Sequence, residues 1–302
     1  VTTGVGAAGA EPGVSQGSWA LVADYVRLTK PRVVLLLLVT TAAAMFIASE
    51  GTPDAWALLW TMIGGYLAAG GANAINQFVD RDIDATMSRT TARPVVVGRV
   101  SPTRALVFGI GLGVASALLL GFLVNWLAAA LAVAGLLVYV GVYTIWLKRS
   151  TPHNIVIGGA SGAVPPLVGW AAATGTLSLE AWLLFAIVFF WTPPHFWALA
   201  LILQRDYASV RVPMLPVVAG HRETRLQVLL WSLVMAGVSL LPVASGDAGA
   251  PYLVAALALG AVFVALAAAA LRERDLRYTR YTFKYSLLYL ALIFLALVID
   301  AF

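Results

Sequence analysis

The chain has 302 residues, of which 61% are hydrophobic and 11% charged, with a mean hydropathy of +0.90 and a net charge of +5. Soluble domains average about 25% charged residues, so an ordinary cytosolic enzyme, a disordered chain and a fibrous repeat are excluded, and lipid is the solvent for most of the sequence. The absence of cysteine excludes disulfides, thiolate nucleophiles and iron–sulfur ligation.

The first 26 residues contain no Lys or Arg and are rich in Gly, Ala and Ser. Without the basic region of a secretory signal, residues 1–24 read as a disordered leader, and 25–302 as one transmembrane domain. Runs of about 20 apolar residues, long enough to cross about 30 Å of hydrocarbon, then recur between polar breaks. They predict an all-α, polytopic bundle of nine spans: Val33–Ser49, Ala55–Val79, Ala105–Asn125, Trp126–Leu147, Asn154–Ala173, Leu179–Leu203, Leu226–Ala244, Tyr252–Leu271 and Tyr285–Asp300. With the N-terminus inside, all 19 bases fall on one side, in the segments before span 1 and after spans 2, 4, 6 and 8. The other side holds Glu50, Asp54, Glu180 and Asp247, with Asp300 near an outer C-terminus. By the positive-inside rule this places the chain in a bacterial-type inner membrane with spans 2 and 6 ending at the cytoplasmic face. The same partition accounts for the positive net charge without nucleic-acid binding.

Span 2 ends in the most informative stretch. Asn73 and Asn76 lie inside an apolar run, and Asn76, Asp80 and Asp84 are four apart, which puts them on one helical face, with Asp82 pointing away. Polar groups at such depth are costly and mark function by default. An amide and two carboxylates on one face are hard-oxygen ligands suited to Mg2+ that also holds a phosphate. Arg89 and Arg93, again four apart, supply guanidinium forks for phosphate oxygens. A solvated loop would explain the charges but not the buried amides.

Span 3 carries Gly109-Ile110-Gly111-Leu112-Gly113, a close-packing motif and not a dinucleotide fingerprint, since no strand precedes it. In span 4, Tyr139 and Tyr143 either line a pocket or join an interfacial belt, which suits Trp146 better. The small residues of span 5, Gly158, Gly159 and Gly162, again favour close helix packing. Span 6 reads Trp191-Thr192-Pro193-Pro194-His195-Phe196-Trp197, followed by Gln204-Arg205-Asp206-Tyr207. The two prolines predict a broken or kinked helix bordering a cavity. Asp206 is a candidate second metal carboxylate facing Asp80 and Asp84. His195 is either a packed histidine or an acid–base group.

A cytoplasm-facing site with acids, an amide, arginines and a lipid-buried floor suits a diphosphate with a long apolar tail. Mg2+ and bases would stabilise the departing pyrophosphate, leaving an allylic cation in a dry cavity. Phosphatidyl transfer or a phosphatase fits the same residues. A transporter would place its polar groups at the midplane instead.

Asn76-x3-Asp80-x3-Asp84 resembles the first aspartate motif of the UbiA-type intramembrane prenyltransferases. Leu28-Thr29-Lys30-Pro31-Arg32, Met87-Ser88-Arg89-Thr90, Tyr143-Thr144 to Lys148-Arg149, Trp191 to Leu199 and Val212-Pro213-Met214-Leu215-Pro216 are similar to the branch of that family that farnesylates protohaem IX. The resemblance implies a nine-helix bundle around a central cavity, transferring farnesyl from farnesyl diphosphate to a vinyl group of haem b to give haem O. It implies Mg2+ on Asn76, Asp80, Asp84 and Asp206, and diphosphate on Lys30, Arg89, Arg93, Lys148 and Arg149. His195, Trp197 and Tyr207 become candidate haem contacts, His195 also a catalytic one, and a downstream haem-modifying membrane enzyme a candidate partner. One departure stands out: four residues after Asp206, where the family has a second Asp, this chain has Val210. An aromatic or quinone precursor as acceptor is the alternative within the family.

Overall fold

The computed structural model describes residues 18–302. Of the leader expected over 1–24, residues 1–17 lie outside the described residues, and the rest is helical. α1 (Ser18–Thr29) is a short amphipathic helix that turns Trp19, Leu21, Val22 and Val26 outward and buries Asp24 and Leu28. Residues 18–24, expected to be disordered, are thus helical, and the helix is anchored by its buried Asp24 and Leu28.

Lys30 takes a left-handed conformation (φ 51°) and turns the chain into α2 (Pro31–Ala48), where Pro31 is pre-set for a helical start. α3 (Ala55–Val79) is capped by Asp54, which accepts from the Ala57 amide at 2.7 Å. The single turn α4 (Arg81–Asp84) follows, and α5 (Pro102–Leu123) starts at a Ser101 cap. α6 (Trp126–Leu137) runs on as a π-helix over Val138–Leu147 and then α7 (Lys148–Ser150). α8 (Asn154–Thr174) ends at Gly175, whose φ of 71° suits a residue without Cβ. Then come α9 (Leu179–Ile202), α10 (Gln204–Ser209), α11 (Leu215–Val218), α12 (Gly220–Val238), α13 (Leu241–Ala244), α14 (Ala250–Arg272) and α15 (Arg277–Asp300).

By length and composition, eight stretches among the described residues are long and apolar enough to cross a membrane: α2, α5, α6 to α7, α8, α9, α12 to α13, α14 and α15. The ninth long helix, α3, has the bounds expected for span 2. At about 1.5 Å per residue it matches the bilayer in length, but its glycines and the amides Asn73, Asn76 and Gln77 dilute its apolar character. Two starts differ from expectation. α12 begins at Gly220 instead of Leu226, and α15 at Arg277 instead of Tyr285, because Thr279, Thr282 and Ser286 are buried on one face while Arg280 stays exposed on the other. Of the break or kink expected at Pro193–Pro194, a break is absent, since α9 runs through both prolines. Thr192 just before them donates its hydroxyl to the Val188 carbonyl at 2.9 Å.

Helices pack through their small residues. At the α3–α5 crossing a Cβ on Gly71 would lie 2.6 Å from the Gly109 carbonyl oxygen, and one on Gly109 2.8 Å from that of Gly71. The largest core cluster, including Leu184, Ile187, Phe263, Tyr289 and Phe294, joins α9, α14 and α15 with α2 and α8. The outward positions of the long helices are apolar too, as at Leu35, Ile110, Val114 and Phe122, which suits a lipid-facing surface.

The buried Asp24 carboxylate pairs with Arg27 at 3.1 Å and Arg99 at 2.8 Å, tying α1 to the loop before α5. Breaking one side of a buried pair strands the other. Asp24→Ala is therefore expected to open the 86–101 loop, read as several-fold faster proteolytic cleavage there in membrane vesicles. An unchanged cleavage rate would show that the pair does not hold the loop.

Candidate active site

The α3 ladder forms as the spacing predicts. The Asp80 amide donates to the Asn76 carbonyl at 2.9 Å and the Asp84 amide to the Asp80 carbonyl at 2.8 Å, so helical hydrogen bonding continues through the junction with α4. Asn76, Asp80 and Asp84 are all buried, with Asp80 fully inaccessible. Asn76 Nδ2 donates to Asp80 Oδ2 at 2.7 Å and to Thr144 Oγ1 at 3.3 Å.

Bases from three other segments close around this ladder. Lys30 Nζ donates to Asn76 Oδ1 at 3.0 Å. Lys148 pairs with Asp80, and Arg93 with Asp84. Arg149 lies 3.5 Å from Asp80 Oδ1 and grips Asp82 with two bonds of 2.7 Å. Asp82, on the outer face as expected, is held down at about 2 by that guanidinium. Burial, reinforced by Arg93 and Lys148, pulls the Lys30 ammonium down to about 7 against the opposing pull of Asp84 and Asp80. An anionic diphosphate beside Lys30 would favour its charged form.

The other predicted residues are placed differently. Asp206, on α10, is half-buried and receives the Ser88 hydroxyl at 2.9 and 3.0 Å on its two oxygens, which docks α10 onto the loop after α4. The Arg89 guanidinium lies 6.0 Å from the Tyr207 ring centre. Burial raises the Tyr207 hydroxyl above its ordinary range, with Arg89 opposing. His195 is directed toward α15: its Nδ1 shares a hydrogen bond of 2.6 Å with Ser286 Oγ, and the ring stacks between Trp191 (4.3 Å) and Phe283 (5.0 Å). Trp197 is buried in an apolar cluster with Ile83, Met87 and Tyr207, its indole Nε1 without a partner.

Among the described residues no three acids or histidines converge into a metal cage. The donors of the Asn76–Asp80–Asp84 ladder nonetheless fit Mg2+. Asp80 Oδ1 is buried without a hydrogen-bond partner, with the Arg149 guanidinium 3.5 Å away, and a cation bound closer would offset its desolvation. Mg2+ typically takes one or two protein carboxylates and completes its shell with water and substrate phosphate.

Two contributors escaped the sequence reading. Thr144 is fully buried and orients Asn76, and Ser88 holds Asp206. Both act across long sequence separations, and a lone hydroxyl carries no local signal. The Tyr143-Thr144 string was visible, but not the residue it would meet.

The chain resembles known proteins along most of its length. It is 56% identical over 287 residues to a protoheme IX farnesyltransferase from Chloroflexus aurantiacus, covering 95% of this chain and 49% of that protein. It is 53% identical over 285 residues to a protoheme IX farnesyltransferase from Symbiobacterium thermophilum, covering 94% of this chain and 95% of that protein. The chain thus spans about half the length of several relatives it matches and nearly all of another. In structure it is similar to a digeranylgeranylglyceryl phosphate synthase (TM-score 0.77, 19% identity, covering 93% of this chain and 98% of the other). It is also similar to a UbiA homologue from Archaeoglobus fulgidus bound to GPP and Mg2+ (TM-score 0.67, 14% identity, 91% and 99%). At these identities the likeness establishes the fold. The UbiA prenyltransferase family pattern matches residues 37–297, from α2 to the last turn of α15, and on that match together with the relatives the chain belongs to the UbiA prenyltransferase family.

Proposed function

We propose that the chain transfers a farnesyl group from farnesyl diphosphate to a vinyl group of haem b, with water completing the hydroxyethylfarnesyl substituent of haem O. The observation that carries this reading is the near full-length match to a relative named protoheme IX farnesyltransferase. The buried Asp80 and Asp84, each already matched to a base, support the chemistry.

Mg2+ would be held by Asn76, Asp80 and Asp84, with Asp206 offering one further carboxylate beyond the α3 set, and when bound it would neutralise charge on the departing diphosphate. Lys148 and Arg93, released from Asp80 and Asp84, would then face diphosphate oxygens together with Lys30, Arg89 and Arg149. Positively charged groups there favour heterolysis of the C1–O bond, in which both electrons leave with the diphosphate. The apolar cluster of Ile83, Met87, Ile155 and Met214 keeps water from the resulting allylic cation until the acceptor vinyl carbon attacks it. His195, with Trp197 and Tyr207, is proposed to wall the acceptor side. The bases gathered at one end of the bundle support an inner-membrane orientation with this site toward the cytoplasm.

The acceptor is tested with purified full chain, Mg2+ and farnesyl diphosphate, offered haem b or 4-hydroxybenzoate, followed by mass analysis. Haem is expected to gain one farnesyl group and one hydroxyl, the water having lost a proton, while 4-hydroxybenzoate is unchanged. Prenylated hydroxybenzoate with unaltered haem would assign the chain to the aromatic branch instead.

A further inference from the structure

The π-helix in the fourth span is unexplained by the roles above. Ten residues, Val138–Leu147, are wound this way, and π-helical turns are rare and concentrate at functional sites. The winding has a geometric consequence. Tyr139 and Lys148 are nine residues apart, about two and a half turns of an α-helix, which would set them on opposite faces. A ring closed from i to i+5 holds more than four residues per turn, so nine residues make about two turns and return to the same face.

The surroundings agree with that alignment. Leu137, Gly141 and Ile145 recur every fourth residue as the exposed stripe, and Tyr139, Tyr143, Thr144 and Lys148 lie off it. Thr144 Oγ1 donates to the Tyr139 carbonyl at 2.9 Å and accepts from Asn76, and Lys148 pairs with Asp80. The charged groups close enough to act on the Tyr139 hydroxyl are Asp80, Arg93, Asp84 and Arg89, all members of the candidate site. Tyr139 packs against Tyr143 with ring centres 5.6 Å apart, and Tyr143 is seated in the notch left by Gly158. Both residues are partly buried.

From this geometry we infer that Tyr139 is a further substrate-contacting residue, its ring placed by the π-helix on the same face as Lys148 so that it meets the allylic end of the prenyl diphosphate. The inference rests on the prenyl-transfer reading and adds a residue to it. As the C1–O bond breaks and its electron pair leaves with the diphosphate, positive charge spreads over the allyl carbons. An aromatic face attracts such charge in a dry site without bonding to it. The ring is therefore the needed part of the side chain and the hydroxyl is dispensable.

Two measurements on the full chain test this. Tyr139→Leu is expected to lower kcat for farnesyl transfer at least about tenfold, about 1.4 kcal/mol in barrier, with KM for farnesyl diphosphate nearly unchanged, whereas Tyr139→Phe restores most of kcat. Equal kcat for Tyr139→Leu and the unaltered chain would overturn the inference, as would equal losses in the Leu and Phe variants. A readout without turnover uses the absence of native cysteine. Labelling of Tyr139→Cys by N-ethylmaleimide is expected to slow at least about tenfold when farnesyl diphosphate and Mg2+ are added, while labelling of Gly141→Cys on the exposed stripe does not change. Undiminished labelling of Tyr139→Cys, with farnesyl diphosphate binding to that variant demonstrated, would remove Tyr139 from the substrate's path and leave the prenyl-transfer reading standing. Failure of the unaltered chain to bind farnesyl diphosphate would overturn that reading and the Tyr139 assignment with it.

Discussion

Asp80→Ala is expected to lower farnesyl transfer roughly a thousandfold while the protein remains folded in the membrane. Asp80 is the most enclosed member of the ladder and carries a buried carboxylate oxygen without a hydrogen-bond partner. It also fixes two neighbours, the Asn76 amide and the Lys148 ammonium. Removing it deletes a metal ligand and leaves a buried ammonium without its nearest counter-charge, a change that costs about 3–5 kcal/mol in buried pairs. Asp80→Asn keeps the shape and one acceptor oxygen, so it separates lost chemistry from lost packing. Its turnover is expected to fall nearly as far, with thermal unfolding between those of the unaltered chain and Asp80→Ala, since Asn can still accept from Lys148 but carries no counter-charge. Mass analysis of the haem product and thermal unfolding in detergent check both variants, and full turnover by either would remove Asp80 from the mechanism.

The largest structural effect is expected at Gly169. A Cβ there would run into the Thr41 carbonyl oxygen, backbone of α2 that has no side chain to move aside. Gly169→Ala must therefore separate α8 from α2, with a loss of about 1–3 kcal/mol typical of overpacking. Gly162 lies on the same helix with open space around its hydrogen. There the better helix propensity of alanine, about 1 kcal/mol over glycine, should hold or raise stability. The two variants differ by the same methyl group, so thermal unfolding that falls for Gly169→Ala and not for Gly162→Ala isolates the crossing. Equal unfolding temperatures would show that α2 and α8 accommodate the methyl.

These effects come from features with very different visibility in the sequence. The membrane spans were legible because apolar run length and the one-sided distribution of bases are collective signals. Span 2 was bounded correctly since Pro53-Asp54 opens it and the polar ladder closes it. Span 9 began two turns early because its basic residues read as loop, although on a helix they occupy a face apart from Thr279, Thr282 and Ser286. The ladder on α3 was legible for a local reason: a spacing of four is a helical face wherever it occurs.

What escaped is non-local or depends on how the backbone is wound. The partner of His195, Ser286, lies on another span 91 positions away. Nothing in Val138–Leu147 announces a π-helix, since its apolar residues suit either winding. The continuity of α9 through Pro193 and Pro194 likewise depends on how its surroundings meet the freed carbonyls, which the dipeptide alone does not specify.

The central claim is that Asp80 and Asp84, with the bases around them, perform metal-assisted prenyl transfer to haem. The most direct measurement follows pyrophosphate and modified haem together, from purified chain, farnesyl diphosphate and haem b, with Mg2+ or with a chelator in its place. The account predicts equal amounts of pyrophosphate and farnesylated haem in Mg2+ and neither in chelator. Equal turnover in chelator, or pyrophosphate released in Mg2+ while haem stays unmodified, would contradict it.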